Sequence, residues 1–377
     1  KSINQRYLFS SSNEYGGNGN HQNHQIETLI NVGMKKLKYL SVLSLPVCVW
    51  ISFHQTGILT FLPAIIYFGA IPFLELIIRS SAENLTEQEK ELASKDSFYT
   101  MILCLMLPIQ VGFLWFFLTH ITATTNTSDL VGQILSMGIM CGVIGINIGH
   151  ELGHRPNRLE QLIGELLLLT SLENHFVPYH NRGHHTNVGT KKDPATARRN
   201  EWVYLFWFRS QIGSYIQAWQ IENTRMSIIG KSRFSLQHKM IQYTVLHFLF
   251  LAAIYSVFGG MVLVYFLYAA TIGILLLETV NYIEHYGLYR QQRENGTFET
   301  VKPKHSWNSN HLIGRVVLFE LSRHSDHHFK ADRPYQLLET SDDSPVMPTG
   351  YPGMMLLTFI PPLFFKVMNK RVDAALK

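Results

Sequence analysis

Nine histidines in four groups carry the chemistry available to this chain: His150 and His154; His180, His184 and His185; His285; and His324, His327 and His328. The first pair lies in His150-Glu151-Leu152-Gly153-His154, an H-E-x-x-H run. Residues four apart on a helix leave from one face, so both imidazoles can reach one metal, and in the zinc-protease version of the motif the glutamate is the base. His180 and His184 repeat that spacing, and His324 with His327 and His328 spans i, i+3 and i+4. The adjacent pairs His184-His185 and His327-His328 point two ways from one helix, as two nearby metals would require. A zinc site takes about four ligands; nine histidines suit two metals with four or five each. Imidazole serves Zn, Fe, Cu and Ni, so ligand type alone leaves the metal open. Nitrogen-rich coordination with a vacant position suits iron that binds O2.

Neutral imidazoles leave a metal's charge uncompensated. Glu151, Glu173, Asp193, Glu284 and Asp326 lie close to the groups in sequence. Carboxylates there can orient ring N–H groups and offset charge from behind the ligands. That role is favoured for Asp193 and Glu284; an ordinary solvated acid is the competing account. Isolated histidines in membrane segments are usually hydrogen-bonded or at the surface, which is how His120, His238 and His247 read.

These groups need elements to position them. The chain has 377 residues, 46% hydrophobic and 16% charged, against about 25% charged in soluble proteins. With its long apolar runs, the chain reads as an all-α integral membrane protein: six transmembrane helices and a cytoplasmic, histidine-rich cap. The spans are at about 39–53, 58–78, 98–118, 130–149, 241–258 and 261–283. Residues 1–33 are polar and read as a disordered extension, which discounts His21 and His24; residues 34–377 form the membrane-embedded domain. Leu159 to Leu172 reads as packed under the bundle or interfacial, Trp202 to Trp219 as an interfacial helix, and Met354 to Phe365 as interfacial or re-entrant. Lys35, Lys36, Lys38, Arg79, Lys90 and Lys95 flank the early spans, whereas 120–129 has no Lys or Arg. By the positive-inside rule both termini and all four histidine groups are cytoplasmic. Cys48, Cys104 and Cys141 form no C-x-x-C, which excludes a cysteine-built iron–sulfur site. The net charge of +5 fits the cytoplasmic loops and points to no nucleic acid.

The runs HELGH from His150, HNRGHH from His180, NYIEHYGL from Asn281 and RHSDHH from Arg323 resemble the histidine boxes of membrane-bound alkane 1-monooxygenases (the AlkB type). Those belong to the fatty-acid desaturase and hydroxylase superfamily. Asp193 to Arg198, His305 to His311 and Pro348 to Gly353 share the resemblance, which covers the chain from about residue 34 onward. It implies a non-haem di-iron enzyme that inserts one oxygen atom of O2 into the terminal C–H bond of a medium- or long-chain n-alkane. The nine histidines above become the iron ligands, with Glu151, Asp193, Glu284, His305 and His311 behind them. No flavin or dinucleotide fingerprint is present, so electrons must come from another protein. The resemblance implies rubredoxin with its NAD(P)H-dependent reductase. Arg198, Arg199, Lys302, Lys304 and Lys330 are candidates to steer that acidic donor; the positive-inside bias explains them equally well.

An alkane dissolves in the bilayer and has no polar handle, so its enzyme needs an apolar tunnel from lipid to the metals. Tyr67 and Phe68 in the second span are candidates for its bulky stop, with Ile146 nearer the metals. The alternatives are the same scaffold acting on a methyl-arene, fatty acid or terpene; an intramembrane zinc protease, which leaves seven histidines unused; and a metal transporter, whose ligands would line a path across the membrane.

Overall fold

The protein, described as a computed structural model over residues 30–376, is helical throughout its membrane-embedded part. Among the described residues the only β pairings are two isolated bridges. Six helices are long and apolar enough to cross a bilayer: α1 Ile30–His54, α2 Gly57–Ile77, α3 Phe98–Ala123, α4 Thr127–Gly153, α7 Lys239–Phe258 and α8 Gly260–His285. Residues 1–29 of the polar extension lie outside the described residues, while 30–33, assigned to it from sequence, open α1. The first span is longer than its apolar run because the helix continues back through Lys35, Lys36 and Lys38. These find partners in Glu89, Asp96 and Glu320.

One helix is central. Of the most apolar window of α4, 78% is buried, against 11–39% for the other five, whose outer faces are apolar and open. Small residues let α8 cross α4 closely. A Cβ on Gly138 would sit 2.6 Å from Ile272 Cβ, and one on Gly273 2.9 Å from Cys141 Cβ.

The segment after α4 folds back. Helix α5 (Arg158–Leu169) runs along the end of α4, where a Cβ on Gly164 would come 2.9 Å from Gly149 O. The following turn, residues 170–175, reaches Gln110 midway along α3 and His247 on α7. That stretch packs into the bundle, one of the two placements its sequence allows. A π-helical turn at Cys141–Ile146 disturbs the regular carbonyl pairing of α4, and the Ser171 hydroxyl donates to Cys141 O at 3.2 Å. Helix α6 (Val203–Ile228) packs on this turn and on α8.

The chain after α8 forms the cap. It includes α9 (His324–Phe329), α10 (Tyr351–Thr358) and α11 (Pro361–Ala375), the last two separated at Pro361 as the sequence suggests. Buried Glu320 ties this cap to α1. It accepts from Tyr39 Oη at 2.7 Å and Lys38 Nζ at 2.8 Å, and pairs with Arg315 Nε at 2.8 Å. The knot sits four residues before His324 and fixes the approach to α9.

Candidate metal centre

Helix α4 ends on His150 and His154, and α8 ends on His285, at the same end of the bundle. The segment 176–187 and α9 supply the rest. The described histidines form two compact groups. In the first, one ring nitrogen each from His150, His154, His180 and His327 lies within 4.8 Å of all the others; in the second the same holds for His184, His285, His324 and His328. His185 joins the first through Nε2, 3.0 Å from His180 Nε2.

The sequence pairs His180 with His184; the fold does not. Residues His180–His184 form a π-helical turn, in which His185 N–H donates to His180 O. This i→i+5 pairing brings His180 and His185 to one side and sends His184 to the other group. On α9, regular helical spacing puts His324 and His328 together, Nε2 to Nε2 at 2.9 Å. It turns His327 toward His150, at 3.2 Å. Both adjacent pairs are thereby divided between the groups.

The donor set fits a cation. Nε2 atoms face one another at 2.9–3.2 Å in six pairs. His150 and His324 each meet two such neighbours, and one ring proton cannot satisfy both. Converging lone pairs need a shared positive centre. Burial keeps the rings neutral: it drives His154, His180, His185, His324 and His328 well below the ordinary imidazole range, with further lowering from neighbouring histidines. His327 falls to about 3 for the same reasons. Neutral imidazole is the metal-binding form.

The surroundings differ between the groups. Asp193 is buried behind His184 and accepts from its Nδ1 at 2.9 Å, from Tyr179 Oη at 2.7 Å and from Thr196 Oγ1 at 2.6 Å. Burial opposes its charge, yet His184, Thr196 and Tyr179 hold the carboxyl at about 2. His285 Nδ1 meets Ser306 Oγ at 3.3 Å. Glu284 lies on the inner side, not behind a ring: its Oε2 is 3.2 Å from His324 Nε2, and its Oε1 accepts from Tyr351 Oη at 2.8 Å. Glu151 faces neither group, because Arg155 and the Tyr335 N–H occupy it at 2.8 and 3.1 Å. Asp326 turns to Arg333, and Glu173 to Gln211. His305 pairs with Glu299, and His311 with Ser309, both outside the groups. Ser306 and Tyr351 are the partners that sequence reasoning missed. Tyr351 lies in the Pro348 to Gly353 stretch already singled out, but nothing in that run names its partner.

An apolar cavity ends on this centre. His150, His180, His324 and Glu284 close it at the metal end, while Tyr67, Phe68, Ile71 and Gly142 lie along its wall with Ile146, Leu276 and Val280. Tyr67 and Phe68 belong to a third π-helical turn, Ile66–Ala70, and Ile146 to that of α4. Tyr67 is anchored through its hydroxyl, 2.7 Å from Ser44 Oγ.

A family model described as fatty acid desaturase matches residues 129–355. An alkane 1-monooxygenase of Ectopseudomonas oleovorans is 36% identical over 349 residues, covering 89% of this chain and 86% of its own. Alkane 1-monooxygenase 2 of Alcanivorax borkumensis is 38% identical over 314 residues, 81% of each chain. A xylene/toluene monooxygenase hydroxylase component of Pseudomonas putida is 28% identical over 346 residues, 89% of each chain.

Proposed function

The chain belongs to the membrane-embedded alkane 1-monooxygenases of the fatty acid desaturase family, and from that premise we propose that it hydroxylates the terminal carbon of medium- and long-chain n-alkanes at two irons. In this reading His150, His154, His180, His185 and His327 hold one iron, and His184, His285, His324 and His328 the other. Iron with a vacant position supplies the O2 and electron chemistry when bound. Alkane, O2, two electrons and two protons give alkanol and water. The observation that carries the reading is the apolar cavity, whose metal end is lined by histidines of both groups.

The protein's own residues bind, orient and exclude water. An alkane gains only from burial, roughly 0.8 kcal/mol per CH2, so a narrow apolar wall orients it by shape. A chain end lodged toward Tyr67 and Phe68 leaves the other end at the histidines. The same wall keeps bulk water from the reacting carbon. Asp193 holds the His184 ring in the tautomer whose Nε2 lone pair faces inward.

Electrons come from rubredoxin and its NAD(P)H-dependent reductase, at the cytoplasmic face of a bacterial inner membrane. His154 and His185 are the less buried members of the centre and mark the side from which electrons enter. Lys302, Lys304, Lys330 and Arg198 surround the cap's sequence segments as candidate steering charges, while Arg199 is held by Asp373. Turnover of purified protein with rubredoxin and reductase under O2, over a panel of alkanes, tests the reading. A 1-alkanol product with about two irons per chain is the expected result. Irons bound with no alkanol from any alkane would reject the substrate and keep the centre. Preferential oxidation of methyl-arenes would move the assignment toward the xylene-type relative.

A further inference from the structure

The two nitrogen groups are unequal in a way that nine histidines do not explain. The first holds only nitrogen donors and is partly open at His154 and His185. The second is wholly buried, and a carboxylate stands beside one of its rings. Glu284 Oε2 lies 3.2 Å from His324 Nε2. That nitrogen is also 3.1 Å from His285 Nε2 and 2.9 Å from His328 Nε2. The carboxylate oxygen therefore stands on the inner, Nε2 side of His324, where that nitrogen also meets two other rings. A carboxylate that merely orients a ligand accepts from the outer ring nitrogen, as Asp193 does from His184 Nδ1. Glu284 does not occupy that position on any ring.

We propose that Glu284 is a metal-binding residue of the second group, a carboxylate oxygen donor beside His184, His285, His324 and His328. The proposal rests on reading the histidine groups as a metal centre. Three features support it. A single proton on His324 Nε2 can serve one of its three neighbours, whereas a cation serves them all. The Glu284 side chain is 1% exposed and has no Lys or Arg partner among the described residues, so in its ionised form only a cation inside the centre can answer it. Its placement is enforced: Tyr351 Oη holds the other oxygen, and Trp307 N–H donates to the Glu284 carbonyl at 2.8 Å. The consequence is a pair of chemically distinct sites, one all-nitrogen and one with an anionic oxygen at the mouth of the apolar cavity.

The test reads the metals rather than turnover. In the holoenzyme loaded with 57Fe, Mössbauer spectra should resolve two unequal irons. Glu284→Gln should alter one iron signal and spare the other, with iron content falling from roughly two per chain toward one. Glu284→Asp should keep the iron and shift the same signal by less. If Glu284→Gln fails to fold, infrared difference spectra of the wild-type protein on iron loading answer the question, because a coordinating carboxylate changes its stretching bands. Two irons with an unchanged spectrum in Glu284→Gln, or no carboxylate band on loading, would overturn the donor role and leave the histidine centre intact. A wild-type protein that takes up no iron would overturn the centre itself.

Discussion

At the turn after α5, a knot of buried polar side chains closes on itself: Gln110, Thr170, Ser171, Glu173, Asn174, His175, Gln211, Ser214 and His247. Gln110 Nε2 donates to Thr170 Oγ1 at 3.1 Å, His247 Nε2 meets Asn174 Oδ1 at 2.8 Å, and Gln211 Nε2 donates to Glu173 at 3.0 Å. Of the buried side-chain polar atoms in this knot, only Gln110 Oε1 and Gln211 Oε1 lack a partner. Around the ends of α4 and α8 stand nine other histidines, seven of them buried, but their inner nitrogens face one another. The outer Nδ1 atoms of His180, His185, His324 and His328 have no partner either. Burial and residue type are alike in the two places. What differs is whether the lone pairs are answered within the protein, and that separates a histidine that holds the fold from one that awaits a ligand.

His324→Ala against His247→Leu is the sharpest way to break this comparison. Removing His324 takes a donor from the point where three groups converge. Metal content and alkane turnover should fall together, turnover by roughly 10²-fold or more, the upper range for changes just behind metal ligands. Removing His247 should leave iron content within error of wild type. Equal iron loss in both would mean that pairing does not distinguish the clusters.

A smaller effect is expected inside the knot. Thr170→Val keeps volume but removes the acceptor of Gln110 and the donor to Leu167 O. An unsatisfied amide in the apolar interior should cost about 1–3 kcal/mol. A lower denaturation midpoint in detergent, with unchanged iron per folded chain, is the expected pattern. Loss of iron at constant stability would contradict it.

Only the histidine cluster borders the cavity, so product length reports on that side alone. Tyr67→Ala or Phe68→Ala should shift the preferred alkane toward longer chains, by about tenfold in relative turnover, the scale of one or a few methylenes in an apolar pocket. Chain-length profiles unchanged in both variants would remove these residues from the role of stop while leaving them on the wall.

Much of this was legible in the residues. The histidine spacings showed that two directions were needed, and apolar run lengths located six helices. Asp193 behind His184 followed from its nearness in sequence. Other features lay beyond local pattern. A π-helical turn is a departure from regular geometry that no spacing rule anticipates, so the i, i+4 spacing of His180 and His184 does not reveal that His180 faces His185. Glu284 adjoins His285 in sequence, but neighbours on a helix differ in direction by a quarter turn or more, and its carboxylate meets His324 instead. Leu159 to Leu172 is too short to span, and only contacts with Gln110 and His247 reveal that it dips into the bundle. His175 was passed over altogether: its sequence neighbours Glu173 and Asn174 look like an ordinary polar loop.

The least of the expected effects sharpens the comparison from within the knot, where Glu173 is ionisable and has no Lys or Arg partner among the described residues. Burial drives its carboxyl well above the ordinary range, Glu278 adds to the rise, and Gln211 only partly opposes it. Burial also lowers His175, 3.4 Å away, to about 3, so the imidazole offers no countercharge. The folded protein therefore keeps a proton that the unfolded chain releases near pH 4–5. The sign follows from proton counts: the stabilisation is complete below the unfolded value and is lost as pH rises toward the raised folded value. The slope is about 1.4 kcal/mol per pH unit for one proton within that window. Glu173→Gln retains an amide able to meet Gln211 but cannot ionise. Its stability should fall less steeply than wild type between pH 5 and 8, measured as denaturation midpoints across that range. Parallel pH profiles for the two proteins would mean that Glu173 is ionised in the folded knot, and that a cation or water answers it as a metal answers the histidines.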